Sequence, residues 1–210
     1  MYRPRKPFIR GFQRDVRVRS RGYLPHWETP GGVYFITFRL ADALPAAVVE
    51  DLRRKREEME KRAAEQGRLS WIERQEISRL FCLRTDRYLD AGMGRCELRD
   101  PRAARIVVDS LRYFDSERYR LKKLCAMPNH VHVIVRPFEG WTLSSILHSW
   151  KSYTAHEINR ALGRRGRLWQ EESFDHLIRD DRELATLSDY VLSNPAQAGL
   201  VEWPWVWSED

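Results

Sequence analysis

Three runs of apolar residues have the length and composition of β-strands. Residues 33–40 are β-branched and aromatic, residues 119–127 are largely apolar, and residues 130–135 alternate histidine with valine before ending in two more aliphatic residues. Pro128 and Asn129 separate the last two runs, and such a pair favours a tight turn. The pattern therefore predicts one early strand and a later pair of strands joined by a turn.

Helical spacing of apolar positions accounts for much of the remaining chain. Asp180, followed three residues later by Glu183, forms a capping box that predicts a helix start. Pro195 predicts the end of that helix, because the residue before a proline is pushed out of helical geometry. The predicted helices cover residues 45–67, 70–89, a segment that opens at Pro101, 142–162 and 181–193.

The order of the elements indicates the fold class. A strand is followed by helices, two strands and two more helices, with a short strand predicted near the end of residues 169–178. This order favours an α+β domain, an antiparallel sheet with helices on one side. We expect residues 1–23 to be a flexible arm and residues 24–210 a single domain with a helical insertion over about 45–90. The C-terminal tail is expected to dock through its aromatic side chains, Trp203, Trp205 and Trp207.

The composition is that of an ordinary globular protein and excludes several classes. Of 210 residues, 42% are hydrophobic and 32% charged, with a mean hydropathy of -0.61, which argues against wholesale disorder. No run of about 18 apolar residues predicts a transmembrane helix, and the N-terminus lacks the apolar core of a secretory signal. Three cysteines without a CxxC pair suit a reducing cytoplasm and exclude a disulfide scaffold.

The positive charge is concentrated at one end of the chain. Residues 1–23 carry eight Lys or Arg and one acid, hence +7, which equals the net charge of the whole chain. Basic arms often contact nucleic acid, because neutralised phosphates release their counterions. A solvated tail fits the charge equally well, so the body of the chain must decide between the two.

Two short patterns carry candidate chemistry. His130 and His132 are two apart on a predicted strand and therefore share one face, with Val131 on the other. They form half of a metal site, or a pair of histidines without a ligand. Tyr190 and Asn194 are four apart and share one helix face, as a rim tyrosine and a helix-end residue also would.

Taken together, these patterns resemble the single-tyrosine HUH endonucleases, and more closely the REP-associated tyrosine transposases. The resemblance covers most of residues 24–207. The matching pieces are His26-Trp27, Gly31-Gly32-Val33-Tyr34-Phe35-Ile36-Thr37-Phe38, Met127-Pro128-Asn129-His130-Val131-His132, Trp169-Gln170, Phe174-Asp175-His176 with Ile178-Arg179, Asp189-Tyr190, Asn194 to Val201, and Trp203-Pro204-Trp205.

The resemblance implies a ferredoxin-like antiparallel sheet, with the histidines on a central strand and a tyrosine-bearing helix across that face. It implies a Mg²⁺ or Mn²⁺ ion held by His130, His132 and Asn194, where better-known relatives have glutamine. Tyr190 would be the nucleophile that forms a 5′-phosphotyrosine link. The implied partner is single-stranded DNA beside a hairpin, with no membrane and no small-molecule substrate, and the protein would act as a monomer or homodimer.

Several further residues are candidate DNA contacts, each with a structural alternative. Glycines before the first strand allow close approach of a backbone or simply form a turn, and the basic residues after the fourth helix could bind phosphate or face solvent. The candidates are Gly31, Gly32, Tyr34, Arg164, Arg165, Arg167, Asp175 and His176. We assign Trp169 to the core.

Two other functions compete with a transposase. A protein that binds DNA hairpins without cleaving them would need no nucleophile. A zinc hydrolase acting on small molecules would use both histidines and a distant carboxylate, and it would leave the basic arm and the Tyr190–Asn194 pair without a role.

Overall fold

The computed structural model describes residues 17–21, 24–65, 85 and 88–209. Most of the arm and most of the predicted helix over 70–89 therefore lie outside the described residues. Five strands build the main sheet: β3 (Tyr34–Arg39), β4 (Tyr119–Ala126), β5 (His130–Pro137), β6 (Phe174–Leu177) and β7 (Val206–Ser208). Their order is β6-β3-β5-β4-β7, and every neighbouring pair is antiparallel.

The helices lie between these strands in the order expected of a ferredoxin-like fold. The described helices are α1 (Ala46–Glu65), α2 (Pro101–Tyr113), α3 (Leu143–Ala161) and α4 (Asp181–Gln197), with a 3₁₀ turn at Glu97–Arg99. Strands β3, β4, β5 and β6 with the intervening helices form the β-α-β-β-α-β unit. The predicted α+β fold with a ferredoxin-like antiparallel sheet is therefore confirmed.

The larger core lies between one face of the sheet and helices α2 and α3. Ile36 and Val133 point into it from the two central strands, and Trp150 enters it from α3. The indole Nε1 of Trp150 donates a hydrogen bond to the hydroxyl of Tyr119, 2.9 Å away, so the polar atom of this buried ring is satisfied. Val131 and Val133 thus occupy the core face that strand periodicity predicts.

Helix α4 covers the opposite face of the sheet, so the prediction of helices on one side only was wrong. Phe35 and Ile134 form a second apolar cluster with Val191 of α4. The central strands carry apolar side chains on both faces, and a strand of that kind must be covered on both sides to be removed from water. The tyrosine-bearing helix therefore lies across the histidine face.

The start of α4 agrees with the prediction, and its end does not. Asp180 caps the helix by accepting a hydrogen bond from the backbone N–H of Glu183 at 2.8 Å. Pro195 lies inside the helix, which continues to Gln197. A proline within a helix removes one hydrogen bond and costs about 3 kcal/mol. Here Pro195 and Asn194 are both buried, so tertiary packing outweighs the local preference.

An antiparallel hairpin precedes the main sheet and includes part of the segment predicted to be an arm. Strand β1 (Arg17–Arg21) pairs with β2 (Leu24–Glu28) along five residues. Residues 17–21 were predicted to be part of a flexible arm. The opposing segment provides partners for the backbone N–H and C=O groups. This stabilisation requires both segments, so the composition of either segment alone does not predict it.

The C-terminal tail docks as predicted and adds strand β7 to the edge of β4. Trp203 Nε1 donates to the carbonyl of Ala126 at 2.8 Å, and the Ala126 N–H donates to the carbonyl of Trp205 at 2.9 Å. Trp205 and Trp207 are partly buried against the larger core. Within the part of the chain that the structure describes, no helix is long and apolar enough to cross a membrane.

Candidate active site

The two histidines converge at the start of the central strand β5. His130 and His132 are both fully buried, and their Nε2 atoms are 3.0 Å apart. Strand periodicity brings the two side chains to the same face, while the flanking strands β3 and β4 hold β5 in register. The structure thus brings together the pair that the sequence predicted.

Each histidine has a neighbour at its other ring nitrogen. Nδ1 of His130 lies 2.8 Å from Oδ1 of Asn129, and Nδ1 of His132 lies 2.8 Å from Oγ1 of Thr37. These contacts leave the two Nε2 atoms facing each other at 3.0 Å. Partners of this kind are typical of metal-ligating histidines, where they orient the ring.

The electrostatic surroundings keep both imidazoles neutral. Burial lowers the pKa of His130 well below 6.5, and the charges of His132 and Arg39 lower it further. Burial alone lowers the pKa of His132 to about 3. Neutral imidazole is the form that binds metal ions, so the pair has the protonation state that a metal site needs.

The spacing of the histidines fits a shared metal ion. Bonds of about 2.1 Å at right angles would place two ligand nitrogens about 3.0 Å apart, which matches the observed Nε2–Nε2 distance. Among the described residues, no group of three or more His, Cys, Asp or Glu side chains could hold a metal ion. Among the residues that the structure describes, a third protein ligand would therefore be a different donor, such as an amide oxygen.

Asn194 has the properties of such a donor. Its side chain is fully buried on α4, and neither Oδ1 nor Nδ2 has a hydrogen-bond partner among the described residues. A buried unpaired polar group costs roughly 1–3 kcal/mol, and such exceptions are rare enough to require an explanation. The two histidines and this amide fit a divalent ion with mixed nitrogen and oxygen ligands.

Tyr190 lies against the histidine pair. Its ring centroid is 5.3 Å from that of His132 in an edge-to-face arrangement and 6.0 Å from that of Phe35. Asn194 follows one helical turn later on the same face of α4. Tyr190 is half-buried. The candidate nucleophile therefore lies beside the histidine pair.

An ion-pair cluster attaches the first turn of α4 to the edge strand β6. The Glu183 carboxylate accepts hydrogen bonds from His176 Nε2 at 2.9 Å and from Arg179 at 2.8 Å. Burial would raise the pKa of Glu183, but the hydrogen bonds from His176 and Arg179 and the electrostatic interaction with His176 outweigh it and hold that pKa well below its usual range. The cluster therefore fixes the start of the helix that carries Tyr190, about two turns before the tyrosine.

Asp175 is not brought to the histidine face. It is buried beside Ile36 in the β3–β6 pairing, and Ile36 points into the larger core. His176, the next residue, pairs with Phe35 and shares the histidine face. Of these two candidate DNA contacts, only His176 lies on the side of the sheet that carries the site.

Gly31, Gly32 and Tyr34, at and before the start of β3, each have a structural role. A Cβ atom at Gly32 would lie 2.8 Å from side-chain atoms of Leu177 and Thr29, so the chain has no room for a side chain there. Gly31 has a φ of +70°, which favours glycine. Tyr34 is buried in the larger core, and its hydroxyl accepts a hydrogen bond from the Thr29 N–H at 2.8 Å.

The three candidate arginines differ in their surroundings. Arg164 is largely buried and lies 3.2 Å from the carboxylate of Glu97, so it holds the 3₁₀ turn against the loop after α3. Arg165 and Arg167 are exposed. Trp169 is a core residue as predicted, with its Nε1 donating to Thr154 Oγ1 at 2.8 Å.

Sequence reasoning missed several residues of this site. Thr37 and Asn129 lie inside the matched motifs, but no role follows from their spacing. Arg39 pairs with His130 across β3 and β5 and affects its pKa. Burial lowers the pKa of Lys151 to about 8; the charge of Glu171 opposes that shift, and the charges of Arg167 and Arg39 add to it. Strand alternation places Thr37 and Arg39 on one face, a signal that becomes informative only once the strand pairing is known.

Comparisons with known proteins find similarity to transposases in the part of the chain that carries this site. Residues 107–194 match the family described as "Transposase IS200 like", a segment that contains both histidines, the tyrosine and Asn194. A Haemophilus influenzae protein that carries the name REP-associated tyrosine transposase is 30% identical over 96 residues, which cover 39% of this chain and 54% of that protein. The predicted resemblance to the REP-associated tyrosine transposases is confirmed. This chain spans about half the length of that relative.

Two solved structures are similar at low sequence identity. One, a REP-associated tyrosine transposase bound to a REP hairpin, is 16% identical with a TM-score of 0.49, covering 90% of this chain and 81% of the other. The second, described as a transposase from Deinococcus radiodurans, is 12% identical with a TM-score of 0.35, covering 82% and 94%. The fold assignment therefore depends on the sheet topology of this chain itself.

Proposed function

We propose that this protein is a metal-dependent single-stranded DNA endonuclease and transposase that cleaves and rejoins strands beside hairpins. The observation that carries this proposal is the packing of the Tyr190 ring on His132, whose Nε2 is 3.0 Å from that of His130. A hydroxyl nucleophile and a convergent pair of neutral nitrogen ligands are the two parts that phosphodiester cleavage of this class requires.

The cleavage step uses the hydroxyl of Tyr190 as nucleophile. Its oxygen attacks the scissile phosphorus, the bond from phosphorus to the 3′ oxygen breaks, and the released 3′ oxygen takes up a proton as Tyr190 loses one. The product is a 5′-phosphotyrosine link and a free 3′-hydroxyl. Because the number of phosphoester bonds is unchanged, a 3′-hydroxyl can later reverse the reaction and rejoin strands without an external energy source.

The metal ligands in this proposal are His130, His132 and Asn194. A bound Mg²⁺ or Mn²⁺ would polarise the phosphate and offset the charge that develops on it. The half-buried Tyr190 supplies the reacting oxygen, while the cluster around Glu183 keeps α4 against β6. Thr37 and Asn129 orient the imidazoles.

The proposed substrate is single-stranded DNA next to a hairpin, as the family resemblance implies. Arg39 and Lys151 lie at the end of the sheet that carries His130 and act electrostatically on each other. Positive charge beside a cleavage site positions phosphates but carries no sequence information. We therefore assign these two residues to positioning of the strand, and we assign hairpin recognition to other surfaces.

A covalent-adduct experiment tests the proposal. The protein is incubated with Mg²⁺ or Mn²⁺ and a hairpin oligonucleotide taken from its own genomic surroundings, carrying a label on either the 3′ or the 5′ end. The mechanism predicts that only the 3′-labelled strand remains on the protein through denaturing electrophoresis. The 5′-labelled strand is released with a 3′-hydroxyl.

A matched pair of tyrosine variants identifies the nucleophile. Tyr190→Phe should abolish the adduct, whereas Tyr153→Phe should leave it unchanged, because Tyr153 is 56% exposed on α3 and belongs to no part of the site. Hairpin binding without an adduct under any metal condition would contradict cleavage and would indicate a DNA-binding protein without catalytic activity. Retention of the adduct in Tyr190→Phe would contradict the assignment of the nucleophile.

A further inference from the structure

We propose that Asn129 is the positioning residue for His130, and that the backbone carbonyls of Leu89 and Met93 hold Asn129 in the orientation this task needs. The inference rests on the proposed metal site. It assigns a role to the end of the helical insertion, defined here as residues 88–93. This segment is far from His130 in sequence and is connected to it through the side chain of Asn129.

The surroundings of Asn129 determine which way its amide points. Nδ2 donates to the carbonyl of Leu89 at 3.1 Å and to the carbonyl of Met93 at 3.0 Å. Rotating the amide by half a turn would put its oxygen against two carbonyl oxygens, where no hydrogen bond can form. The two carbonyls therefore select the orientation that directs Oδ1 at His130.

The amide orientation in turn selects the tautomer of His130. Oδ1 of Asn129 is only an acceptor, so the Nδ1 atom of His130, 2.8 Å away, must carry the proton. A neutral imidazole has one N–H, and Nε2 of His130 is left with its lone pair. That lone pair lies on the side of the ring that faces Nε2 of His132, 3.0 Å away, and is available to the proposed ion.

The backbone around Asn129 is held as firmly as its side chain. Asn129 is fully buried, and its carbonyl accepts from the N–H of Leu40 at 2.8 Å. The carbonyl of Pro128 accepts from the N–H of Leu98 at 3.1 Å, and the N–H of Met127 donates to the carbonyl of His130 at 2.8 Å. The turn thus joins three separate parts of the chain, and Asn129 cannot shift without breaking these hydrogen bonds.

Residues 88–93 are themselves docked on the domain. Leu89 is 1% exposed, and its carbonyl also accepts from the N–H of Gly92 at 2.9 Å. Just beyond, the N–H of Arg95 donates to Asp42 Oδ2 at 3.0 Å. The end of the insertion is therefore docked on the domain, and it acts on the proposed metal ligand through the Asn129 side chain.

The first measurement uses the metal-free full-length protein and needs no activity. Two-bond ¹H–¹⁵N correlation spectra of the histidine rings distinguish a protonated from an unprotonated ring nitrogen. The inference requires His130, assigned by its absence from His130→Ala, to be protonated at Nδ1 and bare at Nε2. Protonation at Nε2 of His130 in the wild type would overturn it, whatever any variant does.

The second measurement compares two asparagine variants by titration calorimetry with Mn²⁺. Asn129→Ala should weaken Mn²⁺ binding by 10- to 100-fold, the usual effect of removing a partner behind a ligating histidine. Asn159→Ala is the matched control, because Asn159 also joins a backbone carbonyl, that of Gly166 at 2.9 Å, to a side chain, Arg164, but lies away from the site. It should leave Mn²⁺ affinity unchanged.

The controls separate this inference from the proposed function. If the wild type and His130→Ala bind Mn²⁺ equally, the metal site itself is wrong, and the tautomer measurement still decides the orientation of Asn129. If His130→Ala loses Mn²⁺ binding but Asn129→Ala retains wild-type affinity while folded, the positioning role is overturned and the metal site stands. Should Asn129→Ala fail to fold, the wild-type tautomer remains the deciding result.

Discussion

The buried amide of Asn194 leads to a prediction with an unusual sign. Neither of its polar atoms has a partner among the described residues, although the side chain is fully buried. If the amide is retained for metal binding, its removal should make the metal-free protein more stable. It should also reduce the stabilisation of the fold that bound metal provides. The variant to test is Asn194→Ala.

The magnitude follows from three contributions. Each unpaired buried polar atom costs roughly 1–3 kcal/mol, so two such atoms destabilise the metal-free fold by at least about 2 kcal/mol. Alanine in place of asparagine within a helix adds up to about 0.7 kcal/mol. The small cavity left by the side chain costs on the order of 1 kcal/mol. The net expectation is a gain of about 1–2 kcal/mol, equivalent to a rise in Tm of roughly 2–8 °C for a chain of this size.

Thermal and urea unfolding with and without Mn²⁺ measure both effects. A ligand at 100 times its Kd stabilises a fold by about 2.7 kcal/mol, so the wild type should gain that much from saturating metal while Asn194→Ala gains far less. Asn159→Ala is again the control. Its amide atoms are both hydrogen-bonded, so the same change should destabilise the protein by about 1–3 kcal/mol in total and leave the metal effect intact.

Two results would refute the reasoning. If Asn194→Ala destabilises the metal-free protein as Asn159→Ala does, the amide has partners that stabilise the fold, and its burial needs no functional explanation. If the variant keeps the full stabilisation by Mn²⁺, Asn194 is not a ligand, and the two histidines bind the ion without it.

Two further predictions concern charge. The pKa of Glu183 is depressed in the folded state, so its carboxylate stabilises the fold above the unfolded pKa of about 4.3 and that stability is lost as the pH falls through the folded pKa. Glu183→Gln should therefore lower the free energy of unfolding by about 2 kcal/mol at pH 7 and reduce the decline of that free energy between about pH 5 and 2. Urea titrations at several pH values measure both effects. If the decline between about pH 5 and 2 is the same as in the wild type, the role of the cluster is contradicted. Deleting residues 1–16, which carry five Lys or Arg, should reduce the slope of log K against log salt for single-stranded DNA by about 0.7 for each phosphate that the arm neutralises, without abolishing the Tyr190 adduct at saturating DNA. An unchanged slope would show that this arm does not bind DNA.

Local periodicity was sufficient for the parts of the site that belong to single elements. A strand repeats every two residues, so His130 and His132 had to share a face once residues 130–135 formed a strand. A helix repeats every 3.6 residues, so Tyr190 and Asn194 had to share another. The Asp180 cap was also predictable, because it depends on a side chain and its immediate neighbours. The docking of the tail was predictable from its aromatic residues, but its partner, the edge of β4, lies far away in sequence.

Tertiary structure decided everything that depends on residues far apart in the chain. The partners of the histidines, Thr37 and Asn129, become recognisable only when strand pairing and the docked residues 88–93 bring their atoms within 2.8–3.1 Å. The covering of both faces of the sheet, and the continuation of α4 through Pro195, likewise reflect burial that overrides local preference. Sequence alone therefore determined which residue types face the site, whereas long-range packing determined their orientation, since hydrogen-bond geometry depends on neighbours that no local pattern specifies.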